Sequence, residues 1–142
     1  MGAGVADDTE VPVAVVGLTG VTALLGGNAH TCATTSGGFA CWGEGYMGQV
    51  DGAWTTSAAL SPRPHGGGKL LCVGADTTCF LPDGSSSPTC WGRASGSTSM
   101  PTGAAACGGG HVCFVRSDAG TPSITCTGTN DQGQAPARLD GF

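Results

Sequence analysis

Cysteine is the residue whose placement in this chain can do chemistry. Eight are present among 142 residues. The number is even and no Cys-x-x-Cys pair occurs, which points to disulfides and an oxidising compartment rather than to a metal or redox motif. Cys32 and Cys41 stand at equal distances from the point between Ser36 and Gly37, inside the turn Thr35-Ser36-Gly37-Gly38. Two strands folded about that turn bring the sulfurs face to face. Cys79 and Cys90 are symmetric about Gly84-Ser85, within Pro82-Asp83-Gly84-Ser85. Cys113 and Cys126 are symmetric about Ala119-Gly120, after Ser117-Asp118. These centres are turn-forming sequences. The repeated symmetry predicts disulfide-stapled hairpins at Cys32–Cys41, Cys79–Cys90 and Cys113–Cys126.

Cys72 and Cys107 are left over. They stand in equivalent places, just before a glycine turn, with Leu25 near that place earlier in the chain. If neighbouring units stack, the simplest fourth bond is Cys72–Cys107. The only histidines are His30, His65 and His111. His30 and His111 recur at matching positions, which indicates a structural role. A structural zinc site needs four converging ligands, so no metal and no cofactor are expected. Trp42 and Trp91 each follow the second cysteine of a hairpin, which suits a ring packed on the disulfide or between units. Asp83, Asp118 and Asp131 are explained by turns. Neither Asn28 nor Asn130 begins a glycosylation sequon; Ser/Thr patches near 55–57, 85–87 and 95–99 could carry O-glycans. The sequence has no Gly-x-Ser-x-Gly elbow, no phosphate loop and no paired carboxylates beyond the N-terminal tail. A non-enzyme is expected, since acid–base sites need convergent titratable groups.

The elements that must position these residues are strands. Only 11% of residues are charged, and 27 are glycine, against roughly 25% charged and about 7% glycine in ordinary soluble domains. Val, Thr, Ser and Gly favour strands and tight turns. The net charge of −5 argues against nucleic acid as a partner. No apolar run is long enough to span a membrane. The region before Val11 is acidic, the wrong sign for the start of a signal peptide. Val11–Val16 is the most strand-like run, and Pro12, which cannot donate a ladder bond, means that the strand sits at a sheet edge or starts there. Val21–Leu25 reads as the next strand, followed by hairpin strands near 30–35 and 38–43. A long connection runs from Glu44 to Pro64 and holds Tyr46 and Trp54. Exposed aromatics in such a loop suggest contact with a protein or glycan.

The pattern then restarts. Gly74-Ala75-Asp76-Thr77-Thr78-Cys79 matches Gly27-Asn28-Ala29-His30-Thr31-Cys32 position for position. Gly110-His111-Val112-Cys113 opens a third round, and Asn130-Asp131-Gln132-Gly133-Gln134 echoes Gly48-Gln49. The chain divides into a lead-in and strand over 1–20, repeat one over 21–64, repeat two over 65–103 and repeat three over 104–142. A period of roughly 35–50 residues signals a propeller or solenoid.

The unit Gly-x-x-His-Thr-Cys … Cys-Trp-Gly-x-x-x-x-Gly-Gln resembles the repeat of the regulator of chromosome condensation family, above all its bacterial, cysteine-bearing versions. Repeat one fits best, over Val11 to Val50. Repeat two keeps Gly74, Cys79 and Cys90-Trp91-Gly92, with Thr77 for the histidine and no Gly-Gln tail. Repeat three keeps His111, Gly133 and Gln134, with Thr127 for the tryptophan. The resemblance implies four-stranded antiparallel blades packed radially, in rings of about seven in that family. Three repeats cannot close such a ring. The GTPase and chromatin roles of eukaryotic members do not carry over to an acidic chain with no basic loop. Bacterial propellers of this kind include an enzyme inhibitor, so the fold can serve as a binding surface.

The expected fold class is all-β, a partial propeller or arc of three disulfide-stapled antiparallel repeats. The expected function is an extracellular or cell-surface, non-catalytic structural protein. It would assemble with itself into a filament, ring or other homo-oligomer through strand edges and blade faces. The alternative is a secreted module that binds a protein or glycan through the 44–64 loop. The expected interface residues are Val11, Val13 and Val15, as a strand donated to a neighbour, together with Tyr46 and Trp54.

Overall fold

The computed structural model describes residues 2–4, 7–8, 10–94, 96–97, 104–118, 121–135 and 139–140. The expected turn centre Ala119-Gly120 and most of the 95–99 patch lie outside them. All regular structure among the described residues is β-strand. It forms three four-stranded antiparallel sheets, or blades. Blade one holds β1 (Val21–Gly26), β2 (His30–Thr35), β3 (Gly38–Gly43) and β4 (Ala59–Gly66), in that order. Blade two holds β5 (Gly68–Val73), β6 (Thr77–Pro82), β7 (Thr89–Gly92) and β8 (Gly96–Ser97). Blade three holds β9 (Ala104–Cys107), β10 (His111–Asp118), β11 (Thr121–Gly128) and β12 (Leu139–Asp140). The blades stack face to face in an arc that does not close.

The central hairpins have the register that the turn symmetry requires. Cys32 lies opposite Cys41, Cys79 opposite Cys90 and Cys113 opposite Cys126. Each pair is bonded, with Cα atoms 4.1, 4.1 and 4.0 Å apart. These are closely approaching cross-strand pairs, in which the side chains meet directly. The fourth bond joins Cys72 to Cys107 across the seam between blades two and three.

Its geometry corrects the reading that these two cysteines are equivalent. Cys72 lies opposite Cys79, whereas Cys107 lies opposite Val112, the residue before Cys113. Cys107 therefore matches Val73, one step along the strand. Successive strand residues point to opposite faces, so Cys72 faces blade three and Cys107 faces blade two. Equivalent positions would have pointed the same way around the arc and could not have met.

One turn is repeated in every blade. The amides of Gly27, Gly74 and Gly108 donate to the carbonyls of His30, Thr77 and His111 at 2.8, 2.8 and 2.9 Å. The residues after the Cys-x-Gly sequences, Glu44, Arg93 and Thr129, donate back to Ala29, Asp76 and Gly110, each at 2.8 Å. Gly43, Gly92 and Gly128 bend the chain there with φ of +107°, +94° and +109°, and a Cβ would strike those same carbonyls. Glycine is required at this point by both strain and space. The turns also couple neighbouring blades. Asn28 N donates to Ala75 O and Ala75 N donates to Gly108 O, both at 3.1 Å.

The apolar core lies in the seams. Between blades one and two it contains Cys32, Phe39, Cys41, Val50, Ala59 and Leu70, joined by Phe80 and Trp91. Between blades two and three it contains Cys72, Cys79, Cys90, Ala94, Val112 and Phe114.

Two expected elements differ. The connection from Glu44 to Pro64 is not all loop, because its last part is β4, with Pro62 and Pro64 inside the strand. β4 is the edge of its sheet, where a missing amide costs no ladder bond. Leu60, Ser61 and Pro62 bulge out opposite Trp42. Val11–Val16 forms no strand. The Leu60 carbonyl, turned out by the bulge, accepts from Gly2 N and Gly4 N at 3.0 Å, and Val16 N donates to Gly2 O at 3.2 Å. The lead-in folds back over its own blade one, beside Trp42, instead of pairing as a strand.

Candidate interaction surfaces

The 44–58 loop begins where Gly43 turns the chain out of β3. It is pinned from below. Gln49 and Val50 are fully buried, and the Gln49 side chain closes its own turn by accepting from Met47 N at 2.9 Å. Gly48 N donates to Gly45 O, Gly52 N to Gly48 O and Ala53 N to Asp51 Oδ1, at 2.9, 2.8 and 3.1 Å. An Arg63–Asp51 ion pair ties the loop to β4. His65 Nε2 donates to Val50 O at 2.9 Å. Gly52 sits against the Trp91 indole of blade two. On this fixed base Trp54 is 74% exposed and Tyr46 46% exposed. Exposed Met47 stands beside Tyr46 in the chain.

A second surface follows from the seams. In the first, one threonine joins three chain segments. Thr78 Oγ1 donates to Gln49 O at 2.7 Å. Its single proton is used there, so His30 Nε2 donates to it, at 2.9 Å. Burial lowers the His30 pKa below its ordinary 6.5, against the pull of nearby Asp76. His65 is lowered from the same value, chiefly by burial. Its ring packs tilted against Phe39 and edge-on against Trp91, centroids 5.0 and 4.8 Å away. Both histidines serve the packing in their neutral form.

Blade three repeats half of this lock. His111 stands at the turn as His30 does. Gln134 closes the same turn as Gln49, accepting from Gln132 N at 2.7 Å. His111, Cys113 and Val115 share one face of β10, opposite to Val112 and Phe114, which fill the second seam. That outer face has no blade against it among the described residues. Cys113 and Cys126 are half-buried there, whereas Cys32, Cys41 and Cys79 are fully buried.

The expected site residues fall into separate places. Tyr46 and Trp54 are exposed on the pinned loop. Val11 and Val13 are exposed on the lead-in, and half-buried Val15 packs by Gly2. Within the single chain Val11–Val16 is not a strand, and Val16 N donates to Gly2 O. The sulfurs of Cys72, Cys79 and Cys107 lie within 4.8 Å of one another, but all three are taken up in disulfides and offer no thiolate. Sequence reasoning missed Thr78, Gln49 and Gln134. The signal was present in the Gly-Gln pairs and in the match of Thr78 to Thr31, but hydroxyls in strands are too common to single out.

No family model matches the sequence, and no curated protein matches it. Similarity appears among solved structures. Yeast RCC1 (Prp20), solved bound to Kap60, superposes with a TM-score of 0.64 at 15% identity, over 89% of this chain and 38% of that one. Human WBSCR16 gives 0.60 at 16%, over 85% of this chain and 37% of that one. The entire ectodomain of the Physcomitrella patens receptor kinase CR4 gives 0.56 at 19%, over 83% and 33%. The chain thus spans about a third of each of these proteins. At such identities the likeness is one of fold. The chain has a β-propeller-like fold, built as three antiparallel blades, each with a disulfide-stapled hairpin, that do not close into a ring.

Proposed function

We propose that this chain is a non-catalytic, extracellular interaction module that presents Tyr46 and Trp54 to a protein or glycan partner. The observation that carries this reading is a large exposed indole and phenol on a loop whose base is completely buried. Exposed aromatics are the usual anchors of binding surfaces. A loop held by its own hydrogen bonds loses little entropy when a partner closes on it. The four disulfides are consistent with an extracellular location. No helix among the described residues is long and apolar enough to cross a membrane. RCC1, with which the chain shares its fold, was itself solved bound to a protein. Non-catalytic action is supported by the use of His30 and His65 in packing. The test is a panel of immobilised glycans and extracellular proteins probed with the oxidised chain and with Tyr46→Ala/Trp54→Ala. Binders should lose at least about tenfold in affinity, or about 1.4 kcal/mol, with the disulfide map unchanged. Binders that hold the double variant as tightly as the native chain overturn the reading.

Self-association through strand edges or blade faces is the second reading; among the described residues no blade lies against the outer face of blade three, where Cys113 and Cys126 are half-buried. In the single chain the Val11–Val16 segment lies by its own blade one, so a strand donated from it would first have to leave that place.

A further inference from the structure

We infer that the seam between blades two and three is a site of reversible thiol capture, in which a small thiol is taken up on Cys107 while Cys72 changes partner from Cys107 to Cys79. The site is separate from the aromatic loop and needs no second copy of the chain. Cys72 lies opposite Cys79, and Cys79 lies opposite Cys90, so three cysteines stand side by side across β5, β6 and β7. Directly opposed residues share one face of a sheet. Cys79 is bonded to Cys90 on one side and has a second cysteine in register on the other. Cys107 reaches the same row from blade three through its bond to Cys72. The sulfurs of Cys72, Cys79 and Cys107 all lie within 4.8 Å of one another.

The other two blades lack this arrangement. Their corresponding rows read Leu25, Cys32, Cys41 in blade one and Ala106, Cys113, Cys126 in blade three. A staple opened in either has only its own partner to return to. In blade two, an opened seam bond leaves a sulfur beside a second disulfide. Burial sets the point of entry. Cys79 is fully buried, Cys72 and Cys90 are each 6% exposed, and Cys107 is half-buried. An external thiolate therefore meets the seam bond at Cys107, and Cys72 is the leaving group.

Two exchanges follow, each breaking one S–S bond and forming one. The external thiolate bonds to Cys107 Sγ, the Cys72–Cys107 bond breaks, and Cys72 leaves with the electron pair. Cys72 Sγ then attacks Cys79 Sγ and the Cys79–Cys90 bond breaks. Cys90 leaves as the thiolate and takes up the proton that the external thiol gave to solvent. The chain ends with a mixed disulfide on Cys107, a Cys72–Cys79 bond and a Cys90 thiol. One thiol is consumed and one is produced, so nothing is oxidised or reduced overall. The reverse sequence, begun by Cys90, releases the captured thiol. Capture exchanges a staple between blades for one within blade two.

The test treats the oxidised full-length chain with a concentration series of 2-mercaptoethanol, blocks free thiols with N-ethylmaleimide and maps the peptides without reduction. Among chains with the adduct on Cys107, about half should carry the maleimide on Cys90 rather than Cys72, the share set by two cross-strand bonds of equal stability, Cys72–Cys79 and Cys79–Cys90. Maleimide on Cys72 alone, with Cys79–Cys90 intact, overturns the exchange. An adduct on Cys72 in place of Cys107 overturns the point of entry. A seam bond that stays closed while Cys113–Cys126, half-buried as well, has opened overturns the capture altogether. Cys90→Ser needs no added thiol, because its Cys79 is unpaired beside the seam bond. Its maleimide should be shared between Cys79 and Cys107, whereas in Cys126→Ser, with Ala106 as the third member of the row, it should stay on Cys113. Maleimide confined to Cys79 in Cys90→Ser overturns the exchange independently of the native chain.

Discussion

Single residues carry much of the strain and much of the pH response. Gly92 has φ +94° and no room for a Cβ beneath Asp76 O. Gly92→Ala should cost about 1–3 kcal/mol in denaturant unfolding, while Gly37→Ala, with open space around it, should change little. His30 and His65 both titrate below 6.5 when folded. An unfolded chain therefore binds more protons than the folded one just below that pH. Stability is fully present above 6.5 and falls as pH drops toward the lowered folded values. Thermal melts from pH 7.5 to pH 5 should show this decline, and His30→Gln should flatten part of it. A melting temperature independent of pH over that window would remove the neutral-histidine account of the seam.

At the scale of elements, the hairpin staples and the seam staple act differently. The three hairpin bonds close loops with separations of 9, 11 and 13 residues, and Cys72–Cys107 closes one of 35. Chain entropy assigns about 3 kcal/mol to each short loop and about 4 kcal/mol to the long one. Cys72→Ser/Cys107→Ser should accordingly destabilise more than Cys113→Ser/Cys126→Ser, as read from denaturant midpoints. It should also loosen blade three from blade two, seen as faster amide exchange in β9 and β10 with β2 and β3 unchanged. Equal exchange throughout would mean that the second seam holds without its disulfide.

For the molecule as a whole, the two ends of the arc are unequal. Stacked repeats need a cap on each terminal face. The lead-in lies beside Trp42 through Gly2, and Ala33, Ala40 and Trp42 are nearly inaccessible. Deleting residues 1–16 should expose that face, shift tryptophan emission to the red and cost about 2 kcal/mol for the uncovered indole. It should promote association rather than abolish it, the reverse of what a donated strand would give. An unshifted emission spectrum would show that Trp42 is buried by blade one alone.

The arrangement of the hairpins was legible in the sequence because it is local. Symmetric spacing about Ser36-Gly37 or Gly84-Ser85 leaves one register for a tight antiparallel pair, and that register alone brings the cysteines opposite. The threefold recurrence of the glycine turn was equally local, since each copy bonds within a few residues of itself. Relations between blades were not legible. Cys72 and Cys107 read as equivalent until the ladder showed them one step apart, on opposite faces. Val11–Val16 has the composition of a strand, but strand pairing depends on an available edge, and β4 with its prolines offers a bulged carbonyl instead. Trp42 and Trp91 follow the same cysteine motif, yet one lies under the lead-in and the other in an aromatic cluster with Phe39 and Phe80. Periodicity determines which face a side chain takes within a blade. What lies against that face depends on contacts between residues dozens of positions apart, and only the packed structure decides them.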